Sequence, residues 1–512
     1  MKTFAAIDVG SYALEMKLFE MTSKGGIKLI ESIRHQIDLG TDTYVTGRIS
    51  NSKIDEMCRI LKEFKDICDA MKIDDYRLCA TSAIRGASNS AIIMDRIKQR
   101  SGFKGTILSN SEQRFLHYKA VAYRNGKTFD ELLNKTTAIL DIGGSSTQIS
   151  LFENGNLVTT QNLILGILRL AERMAHLNVG KARFEDLLGE LIDTQLLVFR
   201  KLYLKDVTIQ NLILVDDYIS DVYVDYPGRS PEMIVTEDTI DRVLDILRNS
   251  PVSEICRQFN IPEDNVTLCH ISAKLIKSVC ELSKIDAIWI PGVTLGDGMA
   301  YEYAESHKLI SKGHNFEEDI LSSARTLGKR YLSSKKRSDT LESISLAIFD
   351  AMGKLHGMNK RDRLLLRIST ILHDCGKFIS MMNLGECSYN IIMNSEIIGL
   401  SHMEREIVAN VVKYNHQEYS YTEVRRDTLD LDSDAQLTIA KLIAILRLAN
   451  GLDRSHKQKF KDVKITVKND ELVFTVNDSA DISLEKGLFT NRAEFFDEVF
   501  SIHPVIRRKS GK

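Results

Sequence analysis

Apolar residues alternate with polar ones over residues 4–19 and 26–37, a period-two pattern that predicts β structure, whereas residues 54–71 repeat their apolar positions at helical spacing with a polar face. Residues 76–81 and 107–109 read as further short strands, each handing over to a helix, at 89–100 and 112–123. From 137 to 161 the opening pattern returns as strand, Asp-x-Gly turn, strand, Glu153-Asn154-Gly155 turn and strand, and Asn-Gly between two such runs is a hairpin signal. A helical stretch at 166–199 follows, then a strand at 211–215, helices between 238 and 284, and a buried strand at 287–290. The texture becomes almost wholly helical from about 308 to 453. It ends in two short strands (463–467 and 472–476), a helix (491–500) and a basic tail. The implied domains are 1–130, 131–307, 308–460 and 461–512, the first two being copies of one α/β unit.

A chain of 512 residues has room for a core in each of these. Its 43% hydrophobic and 27% charged residues are ordinary for a globular protein. The net charge of −2 supplies no general pull toward nucleic acid or a membrane surface, so any polyanion must be held by a local basic site. The eight cysteines form no Cys-x-x-Cys pair and read as free thiols of a reducing compartment. The first residues lead straight into a strand, and no segment approaches about 20 uninterrupted apolar residues. The expectation is a cytoplasmic protein with neither nucleic-acid nor membrane partners.

The chemistry sits where the strands turn. Ile7-Asp8-Val9-Gly10-Ser11 and Leu140-Asp141-Ile142-Gly143-Gly144-Ser145-Ser146-Thr147 each end an apolar strand with Asp-x-Gly-Ser or Asp-x-Gly-Gly-Ser. Glycine there tolerates positive φ and lets backbone N–H groups approach an anion closely. The aspartate can hold Mg²⁺ or orient water against the same phosphate. Two such loops suggest one polyanion gripped from two sides.

Those two loops, together with Thr81-Ser82-Ala83-Ile84-Arg85, Ser109-Asn110-Ser111-Glu112, Leu165-Gly166-Ile167-Leu168-Arg169-Leu170, Leu372-His373-Asp374-Cys375-Gly376-Lys377-Phe378-Ile379 and Leu446-Arg447-Leu448-Ala449-Asn450-Gly451-Leu452-Asp453-Arg454-Ser455-His456, resemble in this order the exopolyphosphatase/guanosine pentaphosphate phosphohydrolase (Ppx/GppA) family. The resemblance implies two actin/Hsp70/sugar-kinase-like (ribonuclease H-like) subdomains with the active site in their cleft. An all-α domain similar to the HD-hydrolase fold and a small α/β module would follow. It further implies a Mg²⁺-assisted attack of water on the terminal phosphate of inorganic polyphosphate or pppGpp, and a homodimer. Gly10, Ser11, Gly143, Gly144, Ser145 and Ser146 would then donate to phosphate oxygens. Asp8 and Asp141 would face metal or water, and Arg85 would pin a phosphate with its planar fork.

Several positions depart from the family pattern. In the family, the helix following the third strand carries two adjacent acidic residues, the second being the expected base; here the pair is Glu112-Gln113, and Gln148 replaces a further glutamate. An amide cannot take a proton from water at neutral pH, and losing a general base typically costs about 10²- to 10⁴-fold in rate. Glu112 becomes the base if the helix is one residue out of register, a rotation of about 100°. The alternative function is a catalytically weak sensor of polyphosphate or guanosine tetra- and pentaphosphate. Tyr12 fills a slot where asparagine is usual, and Leu214-Val215-Asp216-Asp217-Tyr218-Ile219-Ser220 replaces a glycine-rich loop with bulk that suits neither a nucleotide nor a long polyphosphate. Near Gly292 the family usually carries an arginine before an acidic-Gly pair, and Thr294-Leu295-Gly296-Asp297-Gly298 puts glycine in that place. In the helical domain, no histidine occurs between Arg337 and Ser345, Leu384 and Cys387 replace expected histidines, and Asn450 an expected aspartate. His373 and Asp374 are therefore expected to bond each other and the backbone rather than a metal.

Overall fold

The alternating run at the N-terminus folds into an antiparallel meander of β1 (Lys2–Val9), β2 (Ala13–Thr22) and β3 (Gly26–Gln36). Strand β4 (Asp75–Ala80) then joins β1 in parallel, and β5 (Gly105–Ile107) joins β4, giving the order β3-β2-β1-β4-β5. The second sheet is built from β6 (Thr137–Ile142), β7 (Thr147–Glu153), β8 (Asn156–Leu163), β9 (Asn211–Asp216), β10 (Ile234–Val235) and β11 (Ala287–Trp289). Its order is β10-β11-β9-β6-β7-β8. Without the edge strand β10 it repeats the first sheet strand for strand, the duplicated ribonuclease H-like unit expected from sequence. Every residue of β6 and β9 is buried, as parallel strands covered on both faces must be.

This computed structural model describes residues 1–512 except 178–179, 206, 217, 225–232, 312, 430, 461–462, 477–480 and 509–512. It divides into two compact units, Met1–Asn315 and Phe316–Lys512. The expected position of Asp217 and the last four residues of the basic tail lie outside the described residues.

Differences from the sequence reading have local causes. The strand expected at 107–109 stops at Ile107 because Ser109 leaves it to cap the helix Asn110–Arg124. The helical stretch 166–199 is two helices, Ile167–Leu177 and Lys181–Tyr203, the second starting after Gly180. The helix Leu295–Ser306 follows the second sheet along the chain, within the expected domain 131–307, yet it packs on the first sheet: Leu295, Met299, Ala300 and Ala304 share a core with Phe4, Ala6, Phe19 and Met21. Lys17 Nζ lies 2.8 Å from Asp297, and Glu302 pairs with both Arg77 and Lys119.

The second unit is helical. Its helix Ser433–Leu452 is the one among the described residues long and apolar enough by length and composition to cross a membrane, and most of it is buried inside the unit as a core helix. Strands β12 (Lys464–Lys468), β13 (Glu471–Val476) and β14 (His503–Arg508) and the helix Ser483–Phe500 end the chain. Part of the expected basic tail is thus a strand, paired in parallel with β13. All eight cysteines are free thiols.

Candidate active site

The two glycine turns have the same internal hydrogen bond. Gly10 N–H donates to the Ala13 carbonyl and Gly143 N–H to the Ser146 carbonyl, each at 3.0 Å. Neither glycine amide is therefore available to an anion. Gly10, Gly143 and Gly144 also lack the left-handed φ expected of them; what they need is closeness. A Cβ on Gly10 would stand 2.8 Å from the Ala13 carbonyl oxygen, on Gly143 2.9 Å from Arg114 Nη2, and on Gly144 2.9 Å from the Tyr218 hydroxyl.

Both turns line one small cavity inside the first unit. Asp8, Gly10, Ser11, Arg85, Gln113, Gly143, Gly144 and Ser145 face it, whereas Glu112, Asp141, Ser146 and Gln148 do not. Ser11 Oγ meets Ser82 Oγ at 2.7 Å and the Tyr44 hydroxyl at 3.1 Å, a cluster of hydroxyls beside the first turn. Arg85 is held toward the cavity by the Leu108 carbonyl (2.5 Å) and by Asn110 Oδ1.

The fate of the acidic residues differs most from expectation. Asp141 is buried, with Oδ1 taken by Arg114 and Oδ2 by His117 Nδ1 at 2.7 Å, rather than facing metal or water. Burial works against the carboxylate charge, yet Arg114 and His117 outweigh it and hold the acid below its usual range. Arg114 also donates to the Ser146 carbonyl at 2.9 Å, so it braces the second turn while lining the cavity. Glu112 is spent on a capping box, its Oε2 accepting from Ser109 N at 2.9 Å while Ser109 Oγ accepts from Glu112 N at 3.2 Å. Gln113, one residue on, is the member of the pair that lines the cavity. Gln148 is buried on β7 opposite Asp141, its amide 3.4 Å from Ser150 Oγ.

Sequence reasoning passed over two charges that the sheet brings in. Asp8, Glu15 and Arg34 occupy one row across β1, β2 and β3, and all three line the cavity. Thr294 Oγ1, from the start of the helix that returns to the first sheet, donates to Glu15 Oε2 at 2.8 Å. Arg114 and His117, three residues apart on one helix, share a face by the i, i+3 rule, and that spacing was a readable signal.

The profile of the Ppx/GppA phosphatase family matches residues 19–217, and that of domain III of the Ppx/GppA phosphatases matches residues 321–492. The chain belongs to the Ppx/GppA phosphatase family. It is similar to a guanosine-5'-triphosphate,3'-diphosphate pyrophosphatase of Photobacterium profundum, 20% identical over 491 residues that cover 92% of this chain and 91% of that one. A protein of the same name from Pseudoalteromonas translucida is 21% identical over 493 residues, covering 92% and 91%. Among solved structures, an exopolyphosphatase from Cytophaga hutchinsonii shares the fold with a TM-score of 0.50 at 17% identity, over 60% of this chain and 100% of that one.

As a Ppx/GppA phosphatase, the chain offers Mg²⁺ a limited donor set. Among the described residues no group of three or more His, Cys, Asp and Glu could hold a metal. Asp141 is already occupied by Arg114 and His117. Mg²⁺, however, is usually held by one or two carboxylates with substrate phosphates and water completing its shell. Asp8 and Glu15, opposite each other across β1 and β2 and both facing the cavity, fit that requirement.

In the second unit of this Ppx/GppA chain, His373 and Asp374 are buried, but their side chains stand 3.6 Å apart, beyond a hydrogen bond. His373 Nδ1 instead meets the Thr370 carbonyl at 2.9 Å, and Asp374 pairs with Lys377 at 3.2 Å. Arg337 donates to Asn450 Oδ1 at 2.8 Å, and its charge acts on both Asp374 and Asp453. Lys377, paired with Asp374, and the buried guanidinium of Arg337 thus supply the cations of this cluster.

Proposed function

We propose that the first unit hydrolyses the terminal phosphoanhydride bond of inorganic polyphosphate or pppGpp, with the terminal phosphoryl group seated between the turns at Gly10–Ala13 and Gly143–Ser146. The observation that carries this reading is that two turns with the same hydrogen bond face one cavity lined by Arg34, Arg85 and Arg114. Phosphoryl transfer asks a protein mainly for positioning and charge neutralisation. The hydroxyls of Ser11, Ser82 and Ser145 can donate to phosphate oxygens, and Arg85 and Arg114 are each fixed by protein partners, so little ordering remains to be done on binding. Mg²⁺, held by Asp8 and Glu15, would offset phosphate charge. Gln113 lines the cavity and can position the attacking water through its amide but cannot accept its proton, so turnover rests on positioning and charge neutralisation. The eight free cysteines suit a reducing cytoplasm.

The names of the relatives support a phosphoanhydride substrate of this kind. Phosphate release from long polyphosphate and from pppGpp, each with and without Mg²⁺, tests the reading. Mg²⁺-dependent release from at least one is expected, and no release from either would refute it.

A further inference from the structure

We infer that Arg114 takes, at the second turn, the place of a divalent metal on Asp141, so that the cavity binds phosphate without Mg²⁺. The inference rests on the phosphate site of the proposed function and separates binding there from the metal.

The two turns share an internal hydrogen bond, but their aspartates differ in what they face. Asp8 lines the cavity, whereas Asp141 does not. The oxygens of Asp141 are taken by Arg114 Nη1 and by His117 Nδ1, and the Arg114 and Asp141 side chains are only 4% and 5% exposed. A metal could reach Asp141 only by displacing one of these partners, and removing one member of a buried ion pair is strongly unfavourable. Because Arg114 lines the cavity and Asp141 lies behind it, the pair presents its positive end to a ligand.

The guanidinium also supplies donors that the turn itself has lost. Gly143 N–H is spent on the Ser146 carbonyl, and the same carbonyl accepts from Arg114 Nη2 at 2.9 Å, so the cation lies against the turn. Glycine is what admits it: a Cβ on Gly143 would stand 2.9 Å from Nη2 and 3.5 Å from Nη1. An arginine carries five N–H donors, of which Asp141 and Ser146 take two, and the rest have no partner among the described residues. Buried donors are seldom left unmet, and the planar fork matches phosphate oxygens. Unlike a bound ion, a guanidinium stays in place and stays charged when Mg²⁺ is withdrawn.

Calorimetric titration of inorganic phosphate into the full chain, in EDTA and in saturating Mg²⁺, tests this. Wild type should bind in EDTA with a Kd within about three-fold of that in Mg²⁺. Arg114→Gln should lose about ten-fold or more of the affinity in EDTA, the scale of one hydrogen bond to a charged group. Mg²⁺ should restore it, because the variant frees Asp141 for the ion. Arg114→Gln with Asp141→Asn keeps the overall charge of the pair but leaves no carboxylate there, and should bind weakly under both conditions. A residue that only braced the turn would lose affinity equally with and without Mg²⁺. Circular dichroism confirms folding, and the double variant carries the comparison in EDTA if Arg114→Gln does not fold. Wild-type binding that requires Mg²⁺, a folded variant that keeps wild-type affinity in EDTA, or an Arg114→Gln loss that Mg²⁺ does not restore would overturn the inference and leave the hydrolase reading to its own release assay. Phosphate bound in EDTA by a wild type that releases none from polyphosphate or pppGpp would refute the hydrolase and leave the resident cation standing.

Discussion

Glu112 and Gln113 are neighbours on one helix with divided tasks: Glu112 closes the capping box on Ser109, and Gln113 faces the cavity lined by the two glycine turns. The helix begins in the register that puts the amide, not the acid, toward that cavity. Gln113→Glu is therefore expected to raise phosphate release ten-fold or more, about 1.4 kcal/mol off the barrier. It should weaken substrate binding in parallel, since the new carboxylate repels phosphate. Glu112→Gln should leave turnover near wild type and lower stability, by up to about 1 kcal/mol through the weakened cap. Turnover abolished by Glu112→Gln and unchanged by Gln113→Glu would show that the roles are reversed.

Asp141→Asn should destabilise the first unit by about 3–5 kcal/mol, because it leaves the buried Arg114 without its counter-charge. The pH dependence carries a sign. The folded-state pKa of Asp141 is depressed below the ordinary 3.8, so its contribution is complete above that pH and is lost as pH falls through the lower folded value. Denaturant unfolding of both proteins from pH 7 to pH 2 should show their difference shrinking only at the acid end. A constant difference across that range would mean that the ion pair is not the cause.

The turns should tolerate a methyl group unequally. A Cβ on Gly166 would come within 2.1 Å of the Ser145 carbonyl carbon, which is backbone and cannot yield, whereas one on Gly144 meets the ends of Tyr218 and Leu168. Gly166→Ala should lower the melting temperature more than Gly144→Ala. Gly144→Val should abolish binding of tripolyphosphate measured by calorimetry, and unchanged affinity would remove the second turn from the phosphate site.

In the second unit, burial lowers the His416 pKa from 6.5 to about 4, and burial likewise lowers that of His373. A histidine kept neutral in the folded state binds its proton more readily when unfolded, so stability is full above about pH 6.5 and falls as pH drops toward 4. Hydrogen exchange across the helix His402–His416, corrected for intrinsic rates, should show protection lost over that interval and a flatter profile in His416→Gln. His373→Ala with Asp374→Ala should lower thermal stability without changing metal content. Stoichiometric Mn, Fe or Zn in the wild type that disappears in the double variant would contradict the role given to Arg337.

Much of the architecture was legible because its signals are local. The period-two runs, the Asn154-Gly155 turn, where both residues adopt positive φ, and the repeated Asp-x-Gly sequence each lie within a few residues, and together they determined the duplicated sheet and the place of its two turns. Which side chains face the cavity was decided only in three dimensions. Strand pairing set Glu15 between Asp8 and Arg34, residues far apart along the chain, and it is cross-strand register, not sequence spacing, that makes such neighbours. The Asp-x-Gly pattern was the same in both loops, yet Asp8 faces the cavity and Asp141 is consumed by Arg114 and His117, because a helix from the first subdomain brings two basic groups against β6 and the buried carboxylate cannot remain charged without them.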